Sequence, residues 1–73
     1  MTTAEAIART ENEIQYCEEN LEEAVAEYKR KIASYTAFEI AEGMADGLQQ
    51  RIKELAAEIQ TKKQFVEMLK IIR

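Results

Sequence analysis

Apolar residues recur every three or four positions along two successive stretches of the chain, which is the spacing of one face of an α-helix. The first stripe runs from Ile7 to Ile32, and the second runs from Phe38 to Leu69. The chain has no proline and two glycines, so intrinsic propensity favours helix almost throughout. The pattern predicts an all-α fold, an antiparallel helical hairpin that forms a single domain over residues 1–73.

The position of the turn decides how long the two helices are. Thr36-Ala37-Phe38-Glu39 has the pattern of a capping box, in which the threonine hydroxyl and the glutamate carboxylate cap each other's backbone amides. A turn over about 34–36 gives helix 1 over about 3–33, starting from a second box at Thr2-Thr3-Ala4-Glu5, and helix 2 over about 37–72. Gly43 and Gly47 then lie inside helix 2 and cost about 0.5–1 kcal/mol each. The alternative is a break there, with a short helix over 37–42 and a long one from 46.

Antiparallel packing about that turn brings the two stripes face to face. Residues whose numbers sum to about 70 then lie opposite each other, as coiled-coil-like packing requires. The eight glutamates of residues 1–27 lie beside the arm that carries the C-terminal lysines, which favours this orientation. The predicted hairpin seam consists of Leu21, Val25, Ile32, Phe38, Leu48, Ile52 and Leu55. We expect the tyrosines, Tyr16, Tyr28 and Tyr35, to pack in the seam or at the turn.

The C-terminal end carries more large apolar side chains than the facing part of helix 1, which offers Ile7 and Ile14. Chain ends are usually polar, and a contiguous exposed apolar patch usually marks an interaction site. We therefore predict that a partner covers this end. The predicted partner-binding residues are Phe65, Met68, Leu69 and Ile72.

Other ways to cover the C-terminal end remain open. The side chains can pack on the alanines of helix 1, or on their own copies in a homodimeric four-helix bundle. Lys62, Lys63, Lys70 and Arg73 frame the same residues, as in a membrane-surface helix, although the flanking glutamates argue against membrane contact.

Composition and charge narrow the chemistry. Ten basic against 14 acidic residues argue against nucleic-acid binding. With Cys17 as the single cysteine and no histidine, no disulfide, zinc site or catalytic site is predicted, and we expect no cofactor and no enzyme activity. Cys17 is predicted to be a buried hydrophobe whose pKa is raised by acidic neighbours. The free thiol, together with the lack of a signal-type segment, predicts a cytoplasmic protein.

The segment Leu21-Glu22-Glu23-Ala24-Val25-Ala26-Glu27-Tyr28-Lys29-Arg30-Lys31-Ile32 resembles the end of helix 1 in the small needle co-chaperones of bacterial type III secretion, the YscE/PscE-like family. Phe38 stands where that family tends to have tyrosine, and Leu48, Ile52 and Leu55 follow at matching intervals. The resemblance covers residues 21–55. It implies a chaperone subunit that binds a TPR-like helical chaperone, the pair keeping the needle subunit from polymerising before export.

Overall fold

A computed structural model describes residues 2–72 and contains three helices: α1 over Thr3–Ser34, α2 over Ala37–Ala41 and α3 over Asp46–Ile72. The two long helices, α1 and α3, pack along each other as the arms of a hairpin. The molecule is a rod of 53 × 16 × 14 Å. The predicted all-α helical hairpin is confirmed.

The first helix begins where the sequence predicts because Thr2 caps it. The Thr2 hydroxyl accepts a hydrogen bond from the backbone amide of Glu5 at 3.1 Å and donates one to the Glu5 carboxylate at 3.2 Å. At the other end, Tyr35 adopts an extended backbone, and its amide donates to the Lys31 carbonyl at 3.1 Å. The helix therefore ends at Ser34, one residue beyond the prediction.

The predicted continuous helix over 37–72 is wrong, and the alternative with a break holds. The capping box of Thr36 and Glu39 forms in both directions, at 3.2 and 3.1 Å. α2 then ends after five residues, at Ala41, and Gly43 follows the Glu42 C-cap with a φ of 84°, in the left-handed region. The Gly43 amide donates to the Ile40 carbonyl and the Met44 amide donates to the Glu39 carbonyl, the two hydrogen bonds of a Schellman C-cap. The chain therefore turns at both places that the sequence indicates, before Thr36 and at Gly43.

This second turn shifts α3 along α1 relative to the predicted register. The cross-helix polar contacts of the described residues are Glu13 to Lys62, Glu18 to Lys63 and Tyr28 to Gln49. Their numbers sum to 75, 81 and 77 rather than about 70, because the connection between the long helices runs over 35–45 rather than 34–36. The difference is close to one heptad, so the same apolar stripes still face each other.

The main cluster of buried apolar residues lies toward the end where α1 begins and α3 ends. The core there consists of Ile7, Ile14, Cys17, Ile59 and Val66, with Leu21 and Leu69 packed partly against it. Thr10 is buried among these residues, and its hydroxyl donates to the Ala6 carbonyl at 2.8 Å. No side chain of residues 2–72 is fully enclosed, since two helices cover each other on one face. The core is therefore thin and open at both flanks.

The predicted seam residues differ in how far they are covered. Six of the seven are half-buried on α1 and α3, namely Leu21, Val25, Ile32, Leu48, Ile52 and Leu55. Phe38 is 71% exposed, so its placement in the seam is wrong, because it lies on α2, which packs little against the long helices. Tyr28 and Tyr35 are half-buried, whereas Tyr16 is 66% exposed and does not pack in the seam.

Replacing the two glycines by alanine should have opposite effects. In Gly43→Ala the new Cβ would lie 2.8 Å from an Asp46 carboxylate oxygen, and the left-handed backbone costs alanine about 1–2 kcal/mol. Gly47 lies in the first turn of α3 with nothing within 4 Å of an added Cβ, so Gly47→Ala should stabilise by up to about 1 kcal/mol. Urea unfolding of both variants measures the difference. Equal stabilisation by the two substitutions would mean that the helix is continuous through residue 43.

Candidate partner-binding surface

The outer row of apolar residues on the last part of α3 faces solvent. Phe65 is 48%, Met68 58% and Ile72 72% exposed. Ile71 is more exposed still, and it was not among the predicted partner-binding residues. These side chains form a contiguous patch on the last two turns of α3, which is the kind of surface that other proteins bind.

Leu69 does not belong to that patch, contrary to the prediction. It is half-buried and packs against the core, because Ile59, Lys62, Val66 and Leu69 follow one another at the three-four spacing of the face turned to α1. The inner row of the C-terminal end is thus covered by α1. The uncovered apolar surface of the C-terminal end is smaller than the sequence suggests and is confined to the outer row.

A groove between α1 and α3 continues the exposed row toward the middle of the rod. It is lined by Tyr16 and Cys17 from α1 and by Leu55 and Glu58 from α3, among others. Phe65 follows Glu58 by seven residues, or about two turns, so it lies on the same side of α3. We call this side the groove face, and its apolar members are Tyr16, Leu55, Phe65, Met68 and Ile72.

A polar cluster lies at the floor of the groove, at a position where a hairpin seam is normally apolar. The Lys62 amine is 3.0 Å from the Glu13 carboxylate and 3.7 Å from that of Glu58. The hydrogen bond to Glu13 raises the pKa of Lys62 above its usual value. A lysine at one seam position disfavours other registers, since sliding the helices would separate it from its carboxylate partners.

Cys17 is buried next to this cluster. Burial, and then the nearby Glu58 carboxylate, raises the pKa of the Cys17 thiol. A raised pKa keeps the thiol protonated and unreactive. The predicted direction of the shift is confirmed, although its main cause is burial rather than the acidic neighbours in sequence.

The opposite flank of the hairpin is polar. A shallow depression there is lined by Glu11, Glu18, Lys63 and Lys70, with Val66 and Ile14 beneath. The Lys63 amine and the Glu18 carboxylate form a cross-helix ion pair at 3.9 Å, and both side chains are more than half exposed. Exposed pairs of this kind contribute at most about 1 kcal/mol. The large exposed apolar residues that flank the seam therefore belong to the groove face.

A second group of exposed apolar side chains lies at the closed end of the rod. Phe38, Ile40 and Met44 belong to α2 and the glycine turn, and all three are exposed. Sequence reasoning missed this group because it placed Phe38 in the seam of a continuous helix. The signal that reveals it is Gly43, since a helix ending there directs the preceding residues away from the hairpin seam.

Within residues 2–72 no three potential metal-ligating side chains come together. None of the helices formed by these residues has the length and apolarity needed to cross a bilayer. Comparisons of the chain with protein families, curated proteins and solved structures found no match. The groove face, an apolar surface next to carboxylates, is thus the candidate functional site.

The polar cluster predicts that stability falls at alkaline pH. Both Cys17 and Lys62 have raised pKa values in the folded chain, so the folded state holds their protons more tightly than the unfolded state. Their contribution is complete below the unfolded pKa values, 9.0 for Cys17 and 10.5 for Lys62, and is lost as the pH rises through the higher pKa values of the folded chain. Urea midpoints measured from pH 7 to 11 should decline. The decline should be smaller in Cys17→Ala/Lys62→Met.

Lys53→Met is the matched control for this experiment, because Lys53 is exposed and lies in none of the ion pairs of residues 2–72. This variant should keep the full alkaline decline. The readout is the slope of stability against pH, since removing a seam lysine also changes the absolute stability. An unchanged slope in the double variant would contradict the role of the cluster.

Proposed function

We propose that the protein is a non-enzymatic, cytoplasmic co-chaperone of type III secretion. In this proposal it pairs through the groove face with a TPR-like helical chaperone, and the pair keeps the needle subunit from polymerising before export. The observation that carries the binding role is the exposure of Phe65, Met68 and Ile72 beside an open groove. The type III assignment rests on the resemblance of residues 21–55 to the YscE/PscE-like family.

The energetics require the groove as well as the exposed row. Burying the three side chains stabilises a complex by about 1.5–3 kcal/mol each. Association costs an estimated 4–15 kcal/mol in lost translational and rotational freedom, which is comparable to the whole gain from the row. Contact must therefore extend along the groove to Tyr16 and Leu55, which a partner helix lying between α1 and α3 achieves.

Binding would also stabilise the hairpin itself. The core is thin and has no fully enclosed side chain among the described residues. Anything that binds the folded chain and not the unfolded one raises its stability by mass action. A co-chaperone of this shape would thus act by covering a partner's apolar surface while its own is covered, with no chemical step.

A structural homodimer is the second candidate, and the two apolar groups at opposite ends of the rod favour it. In an antiparallel pair, Phe38 and Met44 of one copy would lie near Phe65 and Met68 of the other. Light scattering on the isolated chain separates the candidates. A stable, monodisperse dimer with sharp thermal unfolding supports the homodimer, and a polydisperse or poorly folded chain supports the heterocomplex.

Two aspartates on the exposed row should abolish partner capture. Phe65→Asp/Met68→Asp places charges where apolar contact is expected, so the amount of partner co-purified from the native host should fall at least tenfold. Because both side chains face solvent, helix content measured by circular dichroism should remain largely intact. Retained capture by the double variant would show that the partner binds elsewhere.

Ala56→Asp/Gln60→Asp is the matched control, because it adds the same two charges on an exposed side of α3 that faces away from the groove face. It should capture the partner like the unmodified chain. Mass spectrometry of the co-purified proteins tests the type III part separately. A TPR-like chaperone with a needle subunit supports the type III assignment. A partner of another class overturns that assignment but leaves the groove face as the proposed binding surface.

A further inference from the structure

The negative charge of the chain is concentrated at the middle of the rod. Residues 17–27 of α1 and 50–60 of α3 lie at the same level, since cross-helix partners have numbers that sum to about 77. These two ranges hold seven acidic and two basic residues, a net of -5, whereas the whole chain has a net charge of -4. The two ends of the rod together are therefore close to neutral.

On the groove face, the acidic region begins where the apolar row ends. Glu54 and Glu58 precede Phe65 along the same side of α3, and Glu23 follows Tyr16 by seven residues on α1. Glu58 is paired with Lys62, whereas Glu23 and Glu54 are exposed and take part in none of the ion pairs of residues 2–72. On α3 the groove face is thus apolar at the open end and acidic toward the middle. The α1 side of the groove at the open end is polar and includes Glu5, Arg9, Asn12 and Glu13.

We propose that the groove face binds an amphipathic, basic helix of a partner protein. Its apolar side chains would lie over Phe65 and Ile72, and its lysines or arginines over Glu23 and Glu54. From Ile72 to Glu54 is 18 residues, about 27 Å at 1.5 Å per residue, so a helix of about five turns spans the face. This inference rests on the proposed function, because it takes a helical partner as the occupant. It adds the positive charge of that helix and the order of its apolar and basic halves.

The charge distribution argues against a second copy of this chain as the occupant. A copy lying side by side, parallel or antiparallel, brings the two middle regions together, each with a net charge of -5. Like charges closer than the Debye length, about 8 Å at physiological salt, repel, and juxtaposed like charges disfavour an interface. A basic helix would neutralise part of this negative charge and would enclose Phe65 among three helices.

Two synthetic peptides of about 20 residues test the proposal on the full chain. Both carry leucines at three-four spacing in one half and glutamines at the remaining positions. The lysine peptide has lysines along the same face of the other half, and the glutamate peptide has glutamates at those positions. Fluorescence anisotropy should show that the lysine peptide binds at least tenfold more tightly than the glutamate peptide. The affinity of the lysine peptide should fall with added salt.

Charge reversal on the groove face should invert this preference. Glu23→Lys/Glu54→Lys should weaken binding of the lysine peptide at least tenfold and strengthen binding of the glutamate peptide. Glu22→Lys/Glu67→Lys is the matched control, because it changes the net charge equally on the other flank of the hairpin. The control should change the affinity for the lysine peptide by less than about twofold.

Equal binding of the two peptides, or an unchanged preference after Glu23→Lys/Glu54→Lys, would overturn the inference. So would a stable dimer of the isolated chain that excludes both peptides. The peptide measurements do not depend on the native host. Host capture of a chaperone together with charge-indifferent peptide binding refutes the basic helix alone, whereas selective peptide binding without a type III partner refutes the proposed function alone.

Discussion

Two helices can bury no more than the faces they turn toward each other, and the other properties of this rod follow from that limit. Ile14, Ile59 and Val66 are well covered because they lie at the centre of the seam. Residues one step around the helix, such as Phe65, have no third element to pack against. A hairpin of 73 residues therefore combines a thin core with one exposed apolar flank.

The relative position of the two arms is set by polar features rather than by the apolar stripes. The left-handed turn at Gly43 lengthens the connection, and Lys62 at a seam position meets Glu13 in the resulting register. Thr10 is a second polar seam residue, satisfied within its own helix through the Ala6 carbonyl. Such residues add little to stability, but they distinguish one register from others in which the apolar contacts are similar.

The same register determines what the surface offers to a partner. It places Tyr16 of α1 level with the stretch between Glu58 and Phe65, so that apolar and acidic residues from both helices form one continuous face. The groove is concave, the outer row is apolar, and the glutamates lie at one end of the face, where they would orient a bound helix. A partner helix that matches all three has one favoured orientation, because reversing it would place lysines over Phe65 and leucines over Glu54.

The sequence by itself determined the helical class, the hairpin and the N-caps at Thr2 and Thr36, because propensity and capping act within about four residues of the chain. The stripes also identified Phe65, Met68 and Ile72 as apolar residues of the C-terminal end. The tertiary structure decided the division of the second arm, the register, the burial of Leu69 and the exposure of Phe38 and Tyr16. Two registers one heptad apart satisfy the same apolar pattern, so the choice rests on contacts between residues far apart in the chain, such as Lys62 with Glu13.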